Sequence, residues 1–434
     1  MNRRTLLAAA SAAALLAAGL APASGQTIPA TIDEPVTITF YNYNLAAANN
    51  GAVATQRLID EFMEANPNVT VVGVPYGSSE STSRIQADLA AQQPVDLVQM
   101  VFSILDYAQN NYGLVALEDI IPPEELDAHF EGMVPNGLEL GRIDGETYGL
   151  AYTFSTPVLF YNADLFLEAG LDPDNPPQTW DEVRDAAIAI REATGSNGFA
   201  AGIFGPSAGD WLFQGVIRSN GGSVLSEDRT QLTFAEPEAV EAVQMMRDMY
   251  EAGAFEPLDI TGAVEGMAAG NIGMYLQTSA LQASLIAGAE GNFDLRATTM
   301  PTFGEKPARP NNSGSALVIL SQDPAKQRAA WELMKFLTSE HGYTVITSEI
   351  GYLPLRPSVV EDPRYLADWV VENPLILPNL EQLEILEPWE SMPGPNYAQI
   401  GSIMMDAAEM AVYGGVDVQA TLTDAQANAQ ALMP

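Results

Sequence analysis

Apolar residues along this chain switch between two periods, every second position and every third or fourth, which predicts strands alternating with helices. Residues 36–43 and 69–74 are rich in Val, Thr, Ile and Tyr and read as strands; residues 95–101 read as a buried strand and 114–117 as another short one. Between them, residues 52–65 place Leu58 and Phe62 on one helical face, and residues 82–91 also read as helix. This βαβαβ order predicts a parallel sheet with helices on both faces. Ligands of such sheets sit beyond the carboxyl ends of the strands, which directs attention to the loops 43–50, 76–81 and 102–112.

A second α/β lobe begins near residue 155. Residues 156–161 read as a buried strand, Asn162 as the cap of a helix carrying Leu165, Phe166 and Ala169, and Gly170 as its end. Thr179 and Glu182 have capping-box spacing, so a further helix is expected through about residue 192. Residues 199–203 suggest a strand, and helices at about 208–219 and 237–252 flank the turn Asn220-Gly221-Gly222. Residues 272–276 and 317–320 are further strands, and from Pro324 onward the pattern is mainly helical. There is no internal repeat.

The N-terminus changes the picture of where the protein works. Arg3 and Arg4 precede an apolar, Ala-rich run over 6–20 and the small-residue pattern Ala21-Pro22-Ala23, so residues 1–25 read as an export signal peptide rather than a membrane anchor, by either the general or the twin-arginine route. The remaining ~410 residues exceed the size at which one core keeps growing, and two domains follow. Cysteine is absent, which removes disulfides, thiolate metal sites, cysteine nucleophiles and a lipid-bearing cysteine. The expected compartment is the periplasm of a two-membrane bacterium. A net charge of −38 with only Lys306, Lys326 and Lys335 as lysines excludes nucleic acid and describes a solvated acidic surface suited to saline surroundings.

Catalytic patterns are thin. Gly205-Pro206-Ser207-Ala208-Gly209 matches G-x-S-x-G, but the proline does not suit a nucleophile elbow and neither His129 nor His341 sits in a motif, so it reads as a helix-entry loop. Asp172-Pro173-Asp174-Asn175 resembles a calcium loop only in its first residues and reads as a linker. No metal site and no cofactor are expected. Acidic residues number 56, which supplies many carboxylate pairs but no distances for glycoside hydrolysis.

The segment S-T-P-V-L-F-Y-N-A-D-L-F over 155–166, followed by A-G-L-D-P-D-N-P-P-Q-T-W-D-E, resembles the signature of the extracellular solute-binding proteins of ABC importers, in the family that binds sugars and glycerol phosphates. Asp144-Gly145-Glu146, Tyr148-Gly149-Leu150, the stretch 270–275, the run 329–337 and Gly351-Tyr352-Leu353-Pro354 are similar landmarks, and together they span about 36–410. The resemblance implies the two-lobed α/β fold of periplasmic binding proteins, with three interlobe crossings and a helical C-terminal region. It places residues 27–152 plus 279–312 in an N-terminal lobe and 155–276 plus 317–434 in a C-terminal lobe. The crossings are expected at 151–158, 275–279 and 311–316.

On that reading a small polar solute binds between the lobes, and the partners are that solute and the membrane permease subunits of an importer, with the protein itself a monomer. Sugars offer apolar faces for stacking and hydroxyl edges for polar pairing, so aromatic and small polar groups are the candidates. Tyr43, Trp211 and Tyr352 are the aromatic ones; Asn44, Ser103, Asp106, Thr153, Ser155, Thr278, Ser279, Ser313, Gly314 and Asn396 the polar ones. Within the family the resemblance runs to the glycerol-3-phosphate-binding subgroup, whose pattern carries a phosphate-holding arginine where Ala398-Gln399-Ile400 is followed by Gly401. Loss of that bidentate partner points to an uncharged sugar or polyol unless Arg356 compensates. Glycerol 3-phosphate or a glycerophosphodiester is the alternative ligand, and an exported hydrolase or a receptor-docking or adhesion protein the alternative function.

Overall fold

The computed structural model describes residues 28–47, 50–205 and 209–434. Residues 1–25, expected to be an export signal, and residues 206–208 of the G-x-S-x-G run lie outside them. Eleven strands occur among the described residues: β1 (Val36–Asn42), β2 (Val69–Pro75), β3 (Leu97–Val101), β4 (Arg142–Ile143), β5 (Glu146–Thr147), β6 (Gly149–Ser155), β7 (Pro157–Asn162), β8 (Asn197–Ala201), β9 (Ile272–Thr278), β10 (Leu295–Thr298) and β11 (Ser313–Ile319). The first sheet has the order β2-β1-β3-β11-β6, with β1 parallel to β2 and β3 and β11 antiparallel to β3 and β6. The second has the order β10-β7-β9-β8, with β8 parallel to β9 and β7 antiparallel to both its neighbours.

Helix α1 (Asn50–Ala65) buries Leu58, Ile59 and Phe62 against the first sheet, as its period predicts. Helix α2 (Ser81–Ala90) also falls where expected. The strand expected at 114–117 is absent: Val115 makes one backbone bond to Ile319, and the chain then turns into the helix Leu117–Ile120, whose ends Leu117 and Ile120 are buried. A short apolar run satisfies either element, and here the edge of β11 takes only one bond. The caps read from sequence are present. Asn162 Oδ1 accepts from Asp164 N at 3.0 Å and Leu165 N at 3.2 Å, Gly170 adopts φ +75°, and Thr179 and Glu182 exchange bonds at 3.3 and 3.0 Å.

The cores redraw the lobe boundaries. Residues 316–386 contribute Leu317, Trp331, Tyr343, Leu353, Leu383 and Leu386 to the core of the first sheet, so 317–386 belongs to the N-terminal lobe and not to the C-terminal one. Residues 279–312 go the other way, with Leu285 and Met300 buried against the second sheet, and 392–429 return to the second core. The reason lies in pairing: β11 inserts between β3 and β6, and the apolar helices that follow it cover that sheet. The crossings move accordingly. The first lies at Thr156 between β6 and β7 and another at 310–313, but 275–279 does not cross, because β9 stays between β7 and β8. The remaining crossing is the stretch 386–392, which runs beside 310–312 through Glu387 N to Pro310 O at 2.8 Å and Asn312 N to Glu387 O at 3.0 Å.

Neither histidine faces a ligand. His341 pairs with Glu61 on the surface at 2.7 Å, and His129 Nε2 donates to Thr338 Oγ1 at 2.8 Å. Burial, then the charges of Arg356 and Lys335, push the His129 imidazole down to about 3. Burial works to raise the neighbouring Glu125 carboxyl, yet bonds from Arg328, Lys335 and Trp331 overcome it and hold the group at about 2. Unfolding lets His129 take a proton near pH ~6.5 and Glu125 near ~4.3, while the folded groups resist until far lower pH. Stability should therefore fall as pH drops from ~6.5 toward ~3. Urea midpoints measured at several pH values should show this slope, and His129→Gln should flatten its upper part; equal slopes in the two proteins would remove His129 as the cause.

Candidate functional site

The two sheets meet end to end at the crossings, where polar side chains are buried in numbers. Gln99 of β3 stands at the centre: Nε2 donates to Thr153 Oγ1 at 2.8 Å and Ser315 Oγ at 3.0 Å, and Oε1 accepts from Tyr43 N at 3.2 Å and Asn44 N at 3.4 Å. The Tyr43 hydroxyl closes the ring, 3.1 Å from both Thr153 Oγ1 and Ser315 Oγ. The loop after β1 is thus tied to the two strands that leave for the second lobe. Ser155, at the end of β6, hydrogen-bonds the Thr278 hydroxyl at the end of β9 and stands opposite Ser313 in the β6–β11 register. Gly314 has φ +109°, and a Cβ there would lie 2.0 Å from Thr153 O, so only glycine lets β11 approach β6.

Between the lobes opens a cavity of about 570 Å³. The first lobe supplies Ser103; the second supplies Phe204, Asp210, Tyr397 and Gly401; the crossing 386–392 supplies Trp389 and Glu390. Trp389 Nε1 donates to Asp210 Oδ1 at 2.7 Å, and Gln214 Nε2 donates to Asp210 Oδ2 at 2.9 Å, which fixes the indole. Burial raises the Asp210 carboxyl above its ordinary range, and these two donors oppose it. Tyr397 opens the helix Tyr397–Tyr413 and reaches across to the first lobe, its hydroxyl 2.8 Å from Thr82 Oγ1 and its ring 5.1 Å from that of Tyr107. Gly401 leaves open space where a side chain would stand. Asp406 and Glu409 add two more carboxylates, and the lining contains no Lys, Arg or His among the described residues.

Of the candidates named from sequence, Ser103 lines this cavity. Tyr43, Asn44, Thr153, Ser155, Thr278, Ser313 and Gly314 gather at the crossings as described above. Ser279, 1% exposed, follows Thr278, and its hydroxyl has no partner. Tyr352 packs on the first core beside Tyr43, where burial and then Tyr43 hold its phenol well above the usual range. Three other candidates are engaged outside this lining. Trp211 is 5% exposed within the second core, because Leu212, Phe213 and Val216 pull the first turns of its helix inward. Asn396 donates to Leu432 O at 3.0 Å and caps the C-terminal segment instead of facing the cleft. Asp106 is engaged by Arg229 at 2.8 Å.

Arg356 offers no phosphate contact: only 7% exposed, it donates to Thr338 O, Glu131 O and His129 O at 3.0, 2.8 and 2.6 Å inside the first lobe. Sequence reasoning missed Gln99, Asp210, Trp389 and Tyr397. A tryptophan between prolines in Pro388-Trp389-Glu390-Ser391-Met392-Pro393 was the one available signal, since proline-bounded loops rarely bury a large ring without cause.

Comparison with known proteins places the chain. Residues 57–375 match the family described as bacterial extracellular solute-binding protein. A sn-glycerol-3-phosphate-binding periplasmic protein of Pectobacterium atrosepticum is 28% identical over 329 residues, 70% of each chain. Among solved structures, the cyclic alpha-maltosyl-1,6-maltose binding protein of Arthrobacter globiformis superposes with a TM-score of 0.80 at 23% identity, covering 92% of this chain and 99% of that one. A Mycobacterium tuberculosis protein in complex with glycerophosphocholine gives 0.78 at 23% identity, covering 92% and 98%. These likenesses establish the two-lobed fold.

Replacing Gly314 by alanine tests the close approach of β11 to β6. Positive-φ strain and the overlap with Thr153 O together predict a loss of about 2–4 kcal/mol in urea unfolding. A stability within error of the parent would mean that the strands separate without cost.

Proposed function

We propose that this chain, a member of the bacterial extracellular solute-binding protein family, captures an uncharged sugar or polyol between its lobes and delivers it to the membrane permease of an ABC importer. The observation that carries the ligand class is the cavity lining: the rings of Trp389, Tyr397 and Phe204 beside Asp210, Glu390, Asp406 and Glu409, with no cation. Rings stack on the C–H faces of a sugar, and carboxylates accept from its hydroxyl groups. A phosphate placed there would meet like charge at Asp406 and Glu409; Gly401 stands where the resembling subgroup carries arginine, Arg356 is bound elsewhere, and the neighbouring guanidiniums of Arg218 and Arg229 are already engaged by Glu390. The basic and apolar leader over residues 1–25 supports export to the periplasm. Among the described residues no helix is long and apolar enough to cross a membrane.

The relatives' names bracket the choice, running from a glycerol phosphate through glycerophosphocholine to a cyclic maltosyl sugar. A choline-bearing glycerophosphodiester is the second reading, favoured by the same carboxylates and rings, which suit a quaternary ammonium. Calorimetry with neutral mono- and disaccharides, polyols, glycerol 3-phosphate and glycerophosphocholine separates these. A neutral sugar should bind at least tenfold more tightly than glycerol 3-phosphate, the loss expected from one missing charge-assisted bond of ~1.5–3 kcal/mol. Trp389→Ala should weaken sugar binding about tenfold. Tightest binding of glycerol 3-phosphate would refute the assignment; tightest binding of glycerophosphocholine would select the second reading.

A further inference from the structure

One guanidinium joins the lobes where the cleft closes. Asp106, on α3 (Leu105–Tyr112) of the first lobe and 7% exposed, accepts from Arg229 Nη2 at 2.8 Å. Arg229 lies in a second-lobe turn, and it also donates through Nη1 to Glu390 Oε2 at 3.1 Å and through Nη2 to Ser391 O at 3.0 Å. It therefore touches both lobes and the crossing 386–392. The turn is built to aim it. Arg229 sits at φ +58°, a left-handed conformation that costs an L residue about 1–2 kcal/mol. Asp228 holds it there, its Oδ1 accepting from Ser226 Oγ, Thr230 N and Thr230 Oγ1 at 2.7, 3.2 and 2.9 Å.

The pair is one end of a charge chain. Glu390 next accepts from Arg218 Nη2 at 2.7 Å, Arg218 reaches Glu387 at 3.4 Å, and Glu387 accepts from Arg309 Nε at 2.8 Å. Three carboxylates and three arginines thus alternate along the crossing, in a protein that has only 18 basic residues against 56 acidic ones. Closure brings two acidic bodies together, and this chain of opposite charges offsets their repulsion locally.

We propose that Arg229 is an interlobe latch: by pairing with Asp106 it favours the closed form in the absence of solute, and so sets what fraction of the protein must be reopened before a solute can enter. The proposal rests on the two-lobed architecture and not on which solute the cleft takes. Because the Arg229 side chain is 30% exposed, the latch is open to screening by salt.

Small-angle scattering on the solute-free protein, from ~0.01 M to ~1 M salt, tests it, since the screening length falls from about 30 Å to about 3 Å over that range. The radius of gyration of the parent should rise with salt. Arg229→Asn, chosen because asparagine tolerates the left-handed backbone, and Asp106→Asn should each be expanded at low salt and should not expand further as salt rises. The double variant should expand no further than either single one. The open-to-closed ratio should shift about three- to tenfold. Parent-like radii in both variants would overturn the latch, and so would expansion in only one, because the pair needs both partners. If one variant does not fold, the other decides: a radius that matches the parent's across the salt range rules the latch out. No solute enters the experiment, so its failure is distinct from failure of the sugar assignment.

Discussion

Buried hydrogen bonding at the crossings is the constraint on which the rest of this structure depends. Three backbone segments pass from lobe to lobe, and among their polar groups Thr156, Asn311 and Asn312 are fully buried, where an unpaired group costs about 1–3 kcal/mol. Gln99 satisfies Thr153, Ser315 and the N–H groups of Tyr43 and Asn44 at once. Gln382 does the same on the other side, donating to Thr156 Oγ1 and Pro157 O at 3.2 and 2.8 Å while accepting from Met300 N at 3.1 Å. Gln99 thus ties strands of the first lobe together at the boundary, and Gln382 reaches from the first lobe to complete backbone groups of the second.

Satisfaction is not complete. Asn311 Oδ1, Asn312 Nδ2 and Asn379 Nδ2 are buried at or beside the crossings without a partner. Each lobe has instead a continuous apolar core around its own sheet, anchored by side chains such as Trp331 in the first and Phe213 in the second. Rearrangement of the boundary therefore costs less than disruption of either core, which is the physical condition for two rigid bodies that move about a hinge.

Charge is distributed to the same end. The acidic surface supplies solubility and repels small anions at low ionic strength. Basic residues are scarce, and three arginines stand along one crossing. The cavity beside them keeps carboxylates and rings. On the proposed reading, discrimination against anions and attraction between the lobes arise from one arrangement, with arginines along the crossing and carboxylates in the lining.

The chain itself determined what depends on near neighbours. Period, caps and turns marked α1, β1 to β3, the Asn162 cap and the Thr179–Glu182 box, because each is settled by residues within a few positions of one another. The same local signature of 155–183 carried the family and the hinge at Thr156. Tertiary structure decided the rest. Which sheet β11 enters depends on pairing with β3, more than two hundred residues away, and that one choice moved 317–386 to the first lobe. It also decided that Trp211 faces a core while Trp389 faces a cavity, and that Asp106 meets Arg229. Local sequence constrains dihedrals and faces; contacts between distant residues are fixed only when both cores have formed.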